Sequence, residues 1–377
     1  MPTTYQLRLG GVAVEMALYD KLTSLEVEES LDVPAAMQLS LPVDRTQDGD
    51  LSFVGDPKFG PFTPVAVVAE ADAGKQCLFD GAILAHSVKL NAGVAGSSVQ
   101  VWGQDSTWLL NLDEKVREWV GVDDAVVAST IFHEYGIPPA SENSADLSPS
   151  HPESGHTLMQ RGTDFQFLRM LARRTGKLCR VYCKTEAGQR VGYFAKPALE
   201  ADPVLVLKPN DPVAPNASNL ELKWDVARPT QTLAHQSLFS DASPDGVPGN
   251  ATEPGLKLLD ARGLEAFAGK TYKAMLTTAT DTAGELLQRA QAVLRDAGWF
   301  VRCECEVNAA RVNVILRAGD IVGIDGVGKL HSGKYLVWSV RHTITSNSHR
   351  MKLILVRNAV GPASSGGGGG LSLPGLP

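Results

Sequence analysis

Along the first hundred residues, apolar and polar positions alternate with period two. Leu25 and Val27 alternate with Glu26 and Glu28, Met37, Leu39 and Leu41 with Gln38 and Ser40, and Val99 and Val101 with Ser98 and Gln100. A period of two with a polar opposite face predicts antiparallel strands with one solvated side. Turn formers fill Asp44 to Asp50 and Asn91 to Gly96. Short strands separated by such turns predict a small barrel or sandwich. Met1 to Tyr19 alternates in the same way and reads as strand.

The pattern changes after Trp102-Gly103. Asp123 can cap a helix that runs to Tyr135, with Val127 and Ile131 one turn apart and Gly136 and Pro138 at its end. Thr163 and Gln166 form a capping-box pair before a second helix, whose apolar face is Phe165, Leu168, Leu171 and Ala172 and which closes at Gly176. Strands at 177–184 and 190–194 read as a hairpin. The strand pattern returns from Val204 to Trp224. Ser240 to Gly255, rich in Asp, Pro, Gly and Ser, reads as a mobile loop. Thr282 and Glu285 cap a third helix with a buried stripe of Leu286, Ala290, Val293, Leu294 and Ala297. Strands then run from Trp299 to Val360.

This order predicts a mainly β chain with α+β insertions, organised as two related small β-barrels. The first barrel is 1–104, an α+β insertion is 105–200, the second barrel is 201–232 with 299–360, and a loop and helix insertion is 233–298. Residues 361–377 form a flexible Gly-rich tail: five consecutive glycines hold no structure. Leu371, Leu373 and Leu376 follow those glycines and are the candidate partner-binding residues, a small apolar peptide able to dock on a neighbour.

At 377 residues the chain exceeds one ordinary core, and its 44% hydrophobic content suffices for several. Lys and Arg total 35 against 42 acidic residues, a formal charge of −7, which disfavours a specific grip on nucleic acid. No apolar run reaches the roughly 18 to 20 residues of a membrane span, so no membrane anchor is expected. The N-terminal segment has one basic residue, Arg8, and does not resemble a signal peptide, so synthesis and assembly in the cytoplasm are expected. Five cysteines, an odd count, argue against a disulfide framework. Cys179, Cys183, Cys303 and Cys305 would meet at a metal only if their two strands met; neither spacing is C-x2-C, and they read as ordinary strand cysteines.

Motifs for catalysis fail on inspection. Gly323 to Leu330 imitates a phosphate loop but places Leu330 where the magnesium-binding hydroxyl belongs, and it reads as a β-turn. His133-Glu134 begins a zincin motif that Ile137 breaks. No G-x-S-x-G elbow occurs. No catalytic residue, metal or cofactor is therefore expected.

Two segments carry a family resemblance. Gln160 to Gly176, with Thr163, Asp164, Phe167, Leu168, Leu171, Ala172 and Gly176, resembles the conserved helix of the phage late-control gene D and VgrG N-terminal family. Arg317 to Val340, followed by Arg341-His342, resembles that family's closing barrel, with a strand ending in Gly319 and Gly333-x-Tyr335-x-Val337 entering another. There Trp338 and Val340 are expected on one face. Phe79-x-Gly81 with Ile83 suits the first barrel. The resemblance implies a non-enzymatic baseplate hub of a contractile tail or injection particle. It implies a homotrimer whose partners are a trimeric spike protein, a hexameric tail tube or tube-initiator protein and other baseplate components. A β-rich cytoplasmic enzyme or carbohydrate-binding protein is the alternative, and a cleft lined by perturbed acids would favour it.

Overall fold

The computed structural model describes residues 4–362 except 93–95, 147, 149, 152–156, 237–246, 279 and 281. Residues 240–246 of the loop expected at Ser240 to Gly255, and Leu371, Leu373 and Leu376, lie outside the described residues; the rest of that loop begins with a short strand, Val247–Pro248. The chain opens with β1 (Thr4–Leu9), β2 (Val12–Ala13), a helical turn α1 (Met16–Tyr19), β3 (Ser24–Ser30), β4 (Ala36–Pro42), β5 (Pro64–Ala71), β6 (Gly74–Lys89) and β7 (Ser98–Asp105). The alternation of Met1 to Tyr19 thus does not make one strand. Gly10 and Gly11, both at positive φ, turn the chain after Leu9. Then follow β8 (Glu114–Trp119), α2 (Asp124–Glu134), α3 (Ser141–Ala145), β9 (Leu158–Thr163), α4 (Asp164–Thr175), β10 (Leu178–Cys183) and β11 (Arg190–Ala195). The third stretch holds β12 (Leu205–Leu207), β13 (Ser218–Trp224), β14 (Gln231–Gln236), β15 (Val247–Pro248), α5 (Leu264–Ala268), β16 (Lys273–Leu276) and α6 (Ala283–Gly298). The chain closes with β17 (Val301–Asn308), α7 (Ala309–Val312), β18 (Ile321–Ile324), β19 (Gly333–Thr345) and β20 (Ser348–Arg357).

The fold is mainly β. Among the described residues, thirteen strands join in one sheet along the path β13-β17-β20-β19-β3-β4-β7-β6-β5-β1-β2, with β18 on β19 and β12 on β18. The sheet wraps two cores. Leu25, Val27, Met37, Leu39, Leu41, Val99 and Val101 line the first, as their period predicts. Val301, Cys303, Cys305, Val307, Tyr335, Val337, Val340, Leu353 and Leu355 line the second. The halves are joined through β3 and β19, antiparallel from Leu25 opposite Ile344 to Ser30 opposite Ser339. A third core, including Val127, Ile131, Phe165, Leu168, Leu171 and Phe194, lies between α2, α4 and the β10–β11 hairpin.

The helices follow their caps. Thr163 accepts from the Gln166 N–H while Gln166 reaches back to the Thr163 N–H, and Gly176 closes α4 at φ +63°. Asp123 accepts from Ala125 and Val126 at the start of α2, and Thr282 from Glu285 at the start of α6. In α6 the buried face is Leu286, Ala290, Ala292, Leu294, Arg295 and Ala297; Val293 is only half-buried, and an arginine has joined the stripe. The insertion expected to be loop and helix also contributes strands, since β14 pairs in parallel with β16. No helix among the described residues is long and apolar enough to cross a membrane.

Candidate functional site

The point where the two sheet halves meet the β10–β11 hairpin holds a cluster of buried polar groups. Glu29 is in phase with Leu25 and Val27 and therefore points inward, 4% exposed. It survives there because Arg317 grips it with two prongs, Nε donating to Oε2 at 2.6 Å and Nη2 to Oε1. Burial works against the Arg317 charge, but Glu29 more than offsets it and holds the guanidinium above its ordinary value. Arg317 also donates to Gln76 Oε1 and to the Cys183 carbonyl, both at 3.3 Å, so it ties β3, β6 and β10 together. The Arg317 N–H donates to Asp320 Oδ2 at 2.7 Å, and burial pushes that carboxyl up.

Gly319 lies in this turn, before β18 rather than at the end of a strand as the sequence suggested. Its φ is +100°, and a Cβ would stand 2.9 Å from Nη2 of Arg180. Arg180 covers the glycine, donates to the Ala318 carbonyl at 2.9 Å and lies over the Tyr182 ring. Burial lowers its pKa.

Beside this joint, Cys77 of β6 and Cys183 of β10 form a disulfide, with Cα atoms 5.6 Å apart. This corrects the expectation drawn from the odd cysteine count. The pair is 106 residues apart in sequence, a separation that no local spacing rule reads. Cys179 packs in the third core and Cys303 and Cys305 in the second, so the two cysteine-bearing strands do not meet. Burial pushes the Cys179 thiol up to about 12. A hydrogen bond with Cys303, then burial, raises Cys305 further. Among the described residues no three His, Cys, Asp or Glu side chains gather as for a metal ion.

The remaining motif residues divide between turns and cores. Gly81 of β6 crosses β7 so closely that a Cβ would overlap the Gln104 carbonyl, while Phe79 and Ile83 fill the first core. Of the segment expected as a turn, Gly323 and Ile324 instead end β18, and residues 325–330 turn towards β19. Gly333 and Tyr335 open β19 beside Arg357, which is fully buried, paired with Asp260 and set over the Tyr335 ring. A register shift between Val337 and Ser339 breaks the alternation. Val340 consequently enters the second core, while Trp338 packs half-buried against Trp299 elsewhere, contrary to the shared face expected for them. His342 and His349 are buried together, Nδ1 to Nε2 at 3.0 Å. His133 and Glu134 are exposed, and Glu134 pairs with Arg117 at 2.6 Å.

Sequence reading missed the Glu29–Arg317 pair, the Asp124–His151–Arg174 cluster that pins the segment before β9 to α2, and Arg357. Only Glu29 carried a signal, its phase with Leu25 and Val27.

A chain organised in this way has the fold of tail proteins from phages and related particles. A tail protein from Neisseria meningitidis MC58 matches with TM-score 0.63 at 13% identity, over 95% of this chain and 97% of that one. The 43 kDa tail protein of prophage MuSo2 from Shewanella oneidensis matches with TM-score 0.65 at 14% identity, over 95% and 99%. A chain of the Francisella PdpA–VgrG complex matches with TM-score 0.53 at 9% identity, over 94% of this chain and 52% of that one. At these identities the likeness shows the fold alone. No curated protein matches the sequence. The chain belongs to the Alg8 N-terminal domain family, whose model matches residues 3–346. That is not the late-control gene D and VgrG family to which the motifs pointed, although a complex containing VgrG is among the structures that share the fold.

Proposed function

We propose that this chain is a structural, non-enzymatic subunit of a phage-like contractile tail or injection particle, a baseplate hub allied to the late-control gene D and VgrG proteins. The observation that carries the reading is a single sheet wrapped around two cores and joined through β3 and β19, on a fold shared with tail proteins. In this reading segment 1–104 and segments 201–232 with 299–360 are equivalent barrels. A homotrimer then presents six similar surfaces to a hexameric tail tube or its initiator, while its threefold axis accepts a trimeric spike. Segments 105–200 and 233–298 brace neighbours, and the particle is assembled in the bacterial cytoplasm.

Exposed backbone edges suit such an assembly. Among the described residues β13 pairs on one side only, with β17, and leaves Trp224 half-exposed. β12 ends the sheet through β18 and exposes Val206. Unpaired strand edges next to apolar side chains are templates for pairing with another chain. Leu371, Leu373 and Leu376 serve in this reading as a tethered peptide for the spike or an adaptor. Light scattering of the purified full chain tests the proposal: a stable trimer at micromolar concentration supports it, and a stable monomer overturns it.

A further inference from the structure

Helix α6 carries an arginine on its buried face. Arg295 is 3% exposed, and its Nη1 donates at 3.0 Å to the Thr175 carbonyl at the end of α4. Among the described residues, its Nε and Nη2 have no hydrogen-bond partner. Gly176 permits this approach: a Cβ there would stand 2.9 Å from the Ala292 Cα and 3.2 Å from Arg295 Nε. A buried cation with open donors is costly unless an anion completes it.

Arg295 lines a cleft of about 700 Å³ between α4 and α6. Arg169 and Arg173 of α4 line it as well, together with Trp299 and Trp338, whose rings lie 6.0 Å apart. The other basic groups on its wall are already matched: Arg174 by Asp124, Lys177 by Asp146 and Arg289 by Glu285. Arg169 donates to a carbonyl, that of Asp32, at 3.0 Å. The Asp32 carboxylate is itself held by Ser30 and Trp338, and Asp296 stands exposed at the rim. Arg173 is exposed beside the opening. Among the described residues Arg169, Arg173 and Arg295 have no carboxylate partner, and in a chain of net charge −7 their place next to two indoles makes a local site of inverted sign.

We propose that this cleft binds an acidic peptide segment of a partner protein, one carboxylate completing Arg295, a second meeting Arg173, and an aliphatic side chain lying on Trp299 and Trp338. The volume favours a few peptide residues over a single small oxyanion, since clefts of roughly 300 to 1,000 Å³ hold ligands of that size. The inference does not depend on the tail reading.

The test is titration of the full chain with an acetylated Leu-Glu-Glu-Leu-Glu peptide, read by tryptophan emission and calorimetry. Its glutamine counterpart and inorganic phosphate are run in parallel. Saturable binding of the acidic peptide is expected, at least about tenfold tighter than the glutamine peptide and weakened by salt. R173Q, a surface change, should weaken it several-fold with the melting temperature unchanged, and R295M by about tenfold or more. If R295M fails to fold, R173Q decides. Equal affinity for the two peptides, indifference to R173Q, or saturation by phosphate alone would each overturn the proposal. An Arg295 that only caps α4 would lower the melting temperature on mutation and leave peptide binding untouched.

Discussion

Gly333 adopts φ +137°, and a Cβ built there would stand 2.5 Å from Nη2 of Arg357. Arg357 cannot step aside, because it is buried, paired with Asp260 and bonded to the carbonyls of His331 and Ser332. G333A should therefore destabilise by about 2 kcal/mol or more, combining backbone strain with displacement of a buried ion pair, as read by denaturant unfolding. At Glu29 the arithmetic is electrostatic. E29Q leaves the Arg317 guanidinium buried with its charge unmatched and should cost roughly 3–5 kcal/mol, whereas E29M combined with R317M should recover most of that loss. If the single and double variants unfold alike, the pair is not what holds this joint.

The buried histidines set a pH dependence. Burial, then the charges of His349 and Arg317, hold His342 far below its ordinary value, and burial lowers His349 to about 4. Above pH 6.5 both are neutral whether folded or unfolded, and no stability is lost. Between about 6.5 and 4 the unfolded chain takes up protons that the folded chain refuses, so stability falls as pH falls, by roughly 1.4 kcal/mol per pH unit for each histidine. Asp105 acts in the opposite direction. Burial raises it to about 6, so the folded form binds the extra proton and gains stability as pH drops from 6 towards 4. Asp320, which burial also pushes up, acts with Asp105, and the deep shifts of the two histidines still leave a net loss on acidification. Denaturation midpoints across pH 4 to 7 should show it, and replacing both histidines with glutamine and phenylalanine should flatten the curve or invert it.

Between elements, the Cys77–Cys183 bridge fastens β6 of the first half to β10 of the insertion. Closing so long a loop is worth up to about 4–5 kcal/mol by chain entropy, less any native strain. C77S with C183S should lower stability by a few kcal/mol. Thiol counting on the unfolded, unreduced chain should find three free cysteines rather than five. The helices show what sequence can and cannot tell at this scale. Thr163, Gln166 and Gly176 specified α4 within one window, because capping bonds span three or four residues. The same kind of reading placed Val293 in the stripe of α6 and passed over Arg295, because whether an arginine is buried depends on what packs on the helix. Here that is the end of α4, opened by Gly176.

For the whole molecule, truncation at 362 tests the tethered leucines. A Gly-rich linker 17 residues long spans roughly 20 to 25 Å, which in the proposed reading is enough to cross a subunit boundary. If the proposed hub role holds, particles lacking residues 362–377 should assemble but carry the spike at reduced occupancy. Normal occupancy by electron microscopy would remove the tail from the proposal and leave the hub intact.

Period-two alternation, helix caps and turn glycines are local, and the sequence by itself determined them: the inward faces of β3, β4 and β7, the ends of α2 and α4, and the turn at 325–330 that follows β18. It was tertiary structure that decided which strands meet. β3 pairs with β19 some three hundred residues away, and β12 lies parallel to β18. Backbone hydrogen bonds between strands are the same for any sequence, so partner choice leaves no local mark. The bulge after Val337 sends Trp338 and Val340 to different environments, because one extra residue reverses every later side chain. Glu29 with Arg317, Cys77 with Cys183, and the open guanidinium of Arg295 likewise arise only once distant segments are packed together, where burial makes each charge or thiol depend on its neighbours.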